Sequence, residues 1–213
     1  MVIAMDAREL VLYTHPMSRG RIARWMLEET GMPYRVELLD YGTSMKAPAY
    51  LAINPMGKVP ALTHGDAVVT EVAAIGLYLG DLVPGLAPPV GSPGRAAYYR
   101  WICFMGPFEQ AMMARHAGSQ HSPGSAGFGA LDDTVDVLEA AIGERDFLIG
   151  DSFSMADMVV AAYIGFYLQF KMLDPRPNLV RYARLHAGRP AAQRAQAIDD
   201  ALIAKAKAAA GDA

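Results

Sequence analysis

The sequence predicts two successive domains, a small α/β domain and then an all-helical one, and three features predict them. Before residue 83, short strand-like runs alternate with helical ones. Residues 83–94 (VPGLAPPVGSPG) hold four prolines and three glycines in twelve positions, which neither a helix nor a sheet interior tolerates. After residue 94 every regular stretch repeats with helical period. The divisions fall at 8–82 for the α/β domain, 83–94 for the linker and 95–213 for the helical domain.

The elements follow in order. Residues 10–13 (LVLY) form an apolar run of strand length, and within residues 14–29 (THPMSRGRIARWMLEE) Ile22, Trp25, Met26 and Glu29 trace a helix that Ser18 caps, with His15 in the loop before it. Residues 34–39 (YRVELL) alternate as a strand does, and residues 47–54 (APAYLAIN) make one or two helical turns opening at Pro48. Residues 60–64 and 67–70 read as two strands joined by a tight turn at Gly65 and Asp66, and residues 71–82 as a helix. In the second domain, residues 95–118 form a long helix that Pro107 is expected to kink or break. Residues 130–143 are amphipathic, and residues 154–173 are apolar on nearly every side, as a central buried helix is. Two shorter helices follow, split at Gly188 to Pro190.

The first helix carries its charge in unfavourable places. A helix N-terminus favours acids, yet Arg19, Arg21 and Arg24 crowd the first turns while Glu28 and Glu29 sit at the other end. Arg24 and Glu28 are four apart and can pair on one face, which leaves Arg19 and Arg21 without partners on the helix itself. A bound anion at this N-terminus would relieve that clash.

Bulk properties exclude several classes. The 213 residues are 53% hydrophobic and 19% charged, with a formal net charge of -3, so nothing in the balance draws the chain to nucleic acid or anionic lipid. No apolar run reaches the roughly 18 residues needed to span a bilayer, and residues 1–10 lack the order of a signal peptide. One cysteine, Cys103, excludes an intramolecular disulfide and reads as a small buried side chain beside Trp101 and Phe104. A cytoplasmic location is expected, without metal, membrane or nucleic acid.

The βαβ–ββα order, the linker and a helical domain containing FLIGDSFSMADM (147–158) resemble the cytosolic glutathione S-transferase family in its bacterial, serine-type-like form, over essentially the whole chain. The resemblance implies a thioredoxin-like first domain, glutathione as co-substrate, a small hydrophobic electrophile as second substrate, a homodimer and a role in detoxification. Its most specific piece is NPMGKVPAL (54–62), which implies that the peptide bond before Pro60 is cis and that the Val59 backbone pairs with the cysteinyl unit of glutathione.

VVTEVAAI (68–75) is similar to the family's strand-to-helix junction, which implies that Glu71 meets the ligand's ammonium. Val72 departs from the pattern, because it lacks the hydroxyl that would meet the γ-glutamyl carboxylate. Its backbone N–H at a helix N-terminus can still bind that anion, at a loss of about 1 kcal/mol of affinity. TSMKAPAYL (43–51) implies Lys46, with Lys58 as a second candidate, as partner of the glycine carboxylate.

In this fold the first helix points its N-terminus at the sulfur, which makes Ser18 the expected thiol-activating residue. Tyr13, His15 and Arg19 remain within range as alternatives. An absent cysteine near position 18 argues against thiol-disulfide exchange. The electrophile is expected between the domains, with Tyr13, Phe104, Met105, Phe108 and Met112 as candidate lining. Ser154 with Asp157 reads as a variant capping box serving the fold. The alternative to an enzyme is a non-catalytic member of the same fold that binds glutathione or a protein.

Overall fold

A computed structural model describes residues 8–211. The signal-peptide reading of residues 1–10 lies mostly outside that span, as do the last two residues assigned to the helical domain. The first domain runs β1 (Leu10–Thr14), α1 (Gly20–Thr30), β2 (Arg35–Leu38), a 3-10 turn (Ser44–Lys46), α2 (Pro48–Leu51), β3 (Ala61–His64), β4 (Ala67–Thr70) and α3 (Val72–Leu82). The four strands form one mixed sheet in the order β2-β1-β3-β4, with β2 parallel to β1 and the other neighbours antiparallel. This is the thioredoxin-like arrangement expected. The β3–β4 turn is the two residues Gly65 and Asp66, with Gly65 at φ +58°.

Alternation along the strands divides the sheet's two faces. Leu10, Leu12 and Leu62 join Met26, Ile75 and Leu79 in the main core. Tyr13 and Ala61 point the other way and pack with Met45 and Tyr50 in a second, smaller cluster.

The second domain is all helical: α4 (Pro93–His116), α5 (Leu131–Ile142), α6 (Met155–Gln169), α7 (Pro177–Ala187) and α8 (Pro190–Gly211). Among the described residues, no helix is long and apolar enough to cross a membrane. α6 is central and buried on most sides, and the main core runs through it without a break into the first domain. Helix α3 packs on α4 and α6, and α1 on α6 and α8. The α3–α4 approach is close enough that a Cβ at Gly80 would lie 2.1 Å from the Tyr98 hydroxyl, which instead donates to the Gly76 carbonyl at 3.2 Å.

Several expectations are corrected. Of the kink or break expected at Pro107, the break does not occur: α4 runs on through it, and the freed carbonyl four residues back belongs to Cys103, on the exposed face. Cys103 is therefore exposed, because the inward stripe of α4 runs through Trp101, Ile102, Met105 and Phe108. α4 also opens at Pro93, inside the stretch read as linker, since a first-turn proline forfeits no helical bond. The last helix, at 22 residues, is long rather than short.

The misplaced charges of α1 find their partners in the other domain. Arg21 pairs with Asp200 at 2.7 Å, Arg24 with Asp199 at 2.9 Å, Glu28 with Arg194 at 2.9 Å and Glu29 with Arg189 at 2.7 Å. Partner numbers fall as α1 numbers rise, so the two helices run antiparallel and the pairs form a ladder between them. The Arg24 and Asp199 side chains are only 2% and 1% exposed. Burial pushes the Asp199 carboxyl up, against the pull of Arg24. The expected Arg24–Glu28 pair on one face of α1 does not form, because each side chain has a partner across the interface.

The Ser154–Asp157 capping box is present, and Asp157 does more than cap. One carboxylate oxygen accepts from the Ser154 N–H and hydroxyl at 2.7 and 2.8 Å. The other accepts from the Leu148 N–H at 2.7 Å and the Tyr182 hydroxyl at 2.6 Å, tying α6 to α7.

Candidate functional site

Three segments of the first domain meet at one cleft. The first is the β1–α1 junction, a tight turn held by its own side chains. The Met17 N–H donates to His15 Nδ1 at 3.1 Å, and the Ser18 hydroxyl donates to the His15 carbonyl at 2.7 Å. Ser18 Oγ accepts in turn from the Gly20 N–H at 2.9 Å. A Cβ at Gly20 would sit 1.9 Å from Thr14 Oγ1 and 2.9 Å from Ser18 Oγ, so only glycine lets α1 begin this close to β1. Arg19, in αR geometry, occupies the N-cap position expected of Ser18. His15 serves the turn and packs tilted against Tyr41, with ring centroids 4.7 Å apart.

The second segment is residues 54–60, which ends in a cis Val59–Pro60 bond. Asn54, buried, shapes it: its amide donates to the Lys58 carbonyl at 2.8 Å and its oxygen accepts from the Met56 N–H at 3.1 Å. The Tyr50 hydroxyl donates to the same Lys58 carbonyl, and burial pushes that phenol up to about 12. Lys46 reaches in from the 3-10 turn to donate to the Met56 carbonyl at 2.9 Å. Among the described residues, the Val59 backbone has no hydrogen-bond partner.

The third segment is the β4–α3 junction. Glu71 stands at φ +70° and ψ +128°, a conformation that is costly for a residue with a side chain. It also gives α3 no side-chain cap, and the N–H groups of Val72, Ala73 and Ala74 have no partner among the described residues.

The cleft has two connected lobes that share Arg19, Lys58 and Val59. One lobe, about 340 Å³, lies over Met17, Ser18, Tyr41, Lys46 and Gly57. The other, about 210 Å³, lies between the domains, with Pro60, Glu71 and Val72 on one wall and Ile102, Met105, Glu109 and Tyr163 on the other. Ser18, Lys46, Lys58 and Val59 thus line the first lobe, and Lys58, Val59, Pro60, Glu71 and Val72 the adjoining second one.

Of the expected electrophile residues only Met105 lines it. Phe108 and Met112 are fully buried in the core, Phe108 edge-on to Tyr167. Phe104 packs edge-on to Trp101, 5.5 Å away. Tyr13 faces the far side of the sheet, where its ring lies 5.6 Å from Tyr50.

Two cleft residues on the helical side, Glu109 and Tyr163, were not anticipated. Glu109 accepts from Arg19 Nε at 2.7 Å and from the Tyr163 hydroxyl at 3.2 Å. Burial, helped by the Glu109 charge, pushes the Tyr163 phenol well up. A signal did exist in the sequence: Ile102, Met105 and Gly106 lead at spacings of three and four to Glu109, an acid at the end of an otherwise apolar stripe.

Residues 17–82 match the family model described as glutathione S-transferase, N-terminal domain, and residues 106–187 match the glutathione S-transferase, C-terminal domain. The chain is 30% identical over 203 residues to a maleylacetoacetate isomerase of Pseudomonas aeruginosa, covering 86% of this chain and 94% of that one. Among solved structures, a glutathione transferase from Methylococcus capsulatus superposes with a TM-score of 0.74 at 30% identity, covering 90% of this chain and 98% of that one. A sphingomonad glutathione S-transferase complexed with glutathione superposes with a TM-score of 0.74 at 29% identity, covering 89% and 98%.

Proposed function

Because this chain belongs to the glutathione S-transferase family, we propose that it binds glutathione and activates its thiol for attack on a small apolar electrophile, or for reduction of a peroxide. The observation that carries the reading is the match between the cleft's polar groups and the ends of the tripeptide. Glutathione has an ammonium and a carboxylate at its γ-glutamyl end, a second carboxylate at its glycine end and the thiol between. The unsatisfied N–H groups of α3 and the Glu71 carboxylate suit the first end. Lys46 and Lys58 suit the second, and the unpaired Val59 backbone lies between them. Ile102, Met105 and Val159 give the wall facing the sulfur an apolar surface for the electrophile. The family membership also supports a homodimer, a cytoplasmic setting and a role in detoxification as parts of this proposal.

Thiol activation is assigned to Ser18 and the start of α1. A free thiol titrates near ~8.5, so only about 3% is ionised at neutral pH. Making it mostly thiolate takes about two units, or roughly 2.7 kcal/mol. A hydroxyl bond to a charged sulfur contributes about 1.5–3 kcal/mol, and a helix N-terminus about 0.3–1. Ser18 must release the His15 carbonyl to make that bond, which costs about 1 kcal/mol. The thiol proton leaves to water, and the thiolate attacks the electrophile as its leaving group departs.

Ser18→Ala is expected to raise the pKa of bound glutathione by one to two units, corresponding to about 1.5–3 kcal/mol, while affinity for the uncharged thiol stays nearly intact. Thiolate absorbance against pH in the binary complex reads it. A mutant that titrates like its parent leaves Ser18 only a turn-former. One observation favours the second reading, a non-catalytic binder: the Ser18 hydroxyl is already committed in both directions. Retention on immobilised glutathione without turnover of a chloro-aromatic electrophile would select it.

A further inference from the structure

We propose that Arg19 is the cation that faces the glutathione thiolate, and that Glu109, reaching over from α4, positions Arg19 and limits how acidic the thiol becomes. The proposal rests on the glutathione-transferase reading above. Arg19 is one of three residues common to both lobes of the cleft, so it stands where the tripeptide's middle would lie. It follows Ser18 directly in the chain, and its side chain is 23% exposed.

The Ser18 hydroxyl and the first N–H groups of α1 are already engaged in the unliganded turn. The Ser18 hydroxyl donates to the His15 carbonyl. The Gly20, Arg21 and Ile22 N–H groups, the first of α1, bond to Ser18 Oγ, the Ser18 carbonyl and the Arg19 carbonyl. The side-chain donor that remains at this end is the Arg19 guanidinium, beside the Ser18 and Arg19 N–H groups, which have no partner among the described residues. Its Nε and Nη2 lie 2.7 and 2.6 Å from Glu109 Oε1, and Nη2 donates to the Tyr167 hydroxyl at 3.0 Å. The guanidinium carbon lies 3.9 Å from the centroid of the Phe166 ring. Nη1 has no partner among the described residues, so a fixed cation presents one open edge.

The interdomain ladder does not need this residue. Arg21, Arg24, Glu28 and Glu29 all pair with α8 or with Arg189 just before it, away from the cleft. Arg19 alone among the charges of α1 and its cap turns to α4 and α6. Its partner is a full carboxylate rather than a carbonyl, and that carboxylate offsets the field the guanidinium exerts on a neighbouring sulfur. Tyr163 and Tyr167 complete the cluster. Burial pushes Tyr167 up to about 12 and Tyr163 higher, so both phenols stay protonated in the neutral range. The remaining charged or titratable groups around the cleft are His15 and Tyr41 at its mouth, Lys46 and Lys58 before β3, and Glu71 before α3. Thiolate absorbance reads the sulfur itself and separates it from all of them.

The test compares Arg19→Gln with Glu109→Gln in the full chain, by calorimetric glutathione binding at acidic pH and by thiolate titration of the binary complex. An opposite charge within about 4–6 Å shifts a pKa by about 1–3 units. Arg19→Gln should therefore raise the thiol pKa by one to two units. Glu109→Gln keeps the acceptor for Arg19 but removes the charge, and should lower it by about one unit. Opposite signs are the signature, since a merely structural Glu109 would move the titration upward or not at all. Arg19→Lys, which keeps the charge without the fork, should fall between parent and Arg19→Gln, and it serves if Arg19→Gln does not fold. Binding retained with a parent-like titration in both Arg19 variants overturns the proposal alone. A parent protein that does not bind glutathione overturns the function and the proposal together.

Discussion

The first turns of α1 and α3 face the same cleft and are built in opposite ways. At α1 the chain satisfies itself: Ser18 supplies both an oxygen and a carbonyl to the leading N–H groups, and Gly20 lets the helix seat against Thr14. At α3 it does not: Glu71 is held in a costly backbone conformation and three N–H groups are left open. A helix start that the protein completes acts on a ligand through side chains. One left incomplete acts through its backbone. The function proposed above uses that difference, assigning the sulfur to the first and the γ-glutamyl carboxylate to the second.

The comparison can be broken most severely at the seat of α1. Arg24→Ala strands the buried Asp199 carboxylate and should cost about 3–5 kcal/mol, lowering the melting temperature by about 10 °C in a chain of this size. The thiol titration should not move, and a melting shift under about 2 °C would show that the buried pair adds nothing.

Gly20→Ala comes next. The added methyl meets Thr14 and Ser18, and overpacking of this kind costs about 1–3 kcal/mol. Because Ser18 must move to admit it, the thiol pKa should rise as well. An alanine variant with parent melting and parent titration would mean the junction is not tight.

At α3 the sign reverses. Glu71→Gly removes the strain of a positive φ and should raise stability by about 1 kcal/mol while weakening glutathione binding, as paired melting and calorimetry would reveal. A loss of stability would show that the Glu71 side chain supports the fold. The smallest effect is expected from Val72→Ser. Its hydroxyl adds one bond to the γ-glutamyl carboxylate worth about 1 kcal/mol, or about a fivefold lower Kd. An unchanged Kd would mean the open N–H groups already saturate that anion.

What was legible in the sequence was local. Strand alternation, the Gly65–Asp66 turn and the Ser154–Asp157 box all depend on neighbours within a few positions, and each could be read. The motif segments carrying Glu71, Lys46 and Val59 also line the cleft together. The partners of α1 could not be read, because Asp199 lies 175 residues from Arg24 and Glu109 lies 90 from Arg19. A contact four residues away on the same helix looked sufficient, and the tertiary pair displaced it. Periodicity likewise showed that α4 has an apolar stripe but not which part of it meets solvent at a cleft. Phe108 and Met112 went into the core, and Met105 reached the opening. Tyr13 was misassigned for a related reason. Both faces of β1 are covered, so its residues carry no polar alternation to tell one face from the other.

The antiparallel ladder between α1 and α8 bears on how such a chain can be recombined. Each domain presents charges arranged in a fixed sequence along a helix, and each set reads sensibly only against its counterpart. A helical domain grafted from another protein would have to bring acids at the positions of Asp199 and Asp200 and arginines at those of Arg189 and Arg194. Without them the hybrid would bury Arg24 with no counter-ion, a defect of about 3–5 kcal/mol against a typical total stability of roughly 5–15. The two halves are therefore not interchangeable modules, and they must be inherited, or engineered, as a matched set.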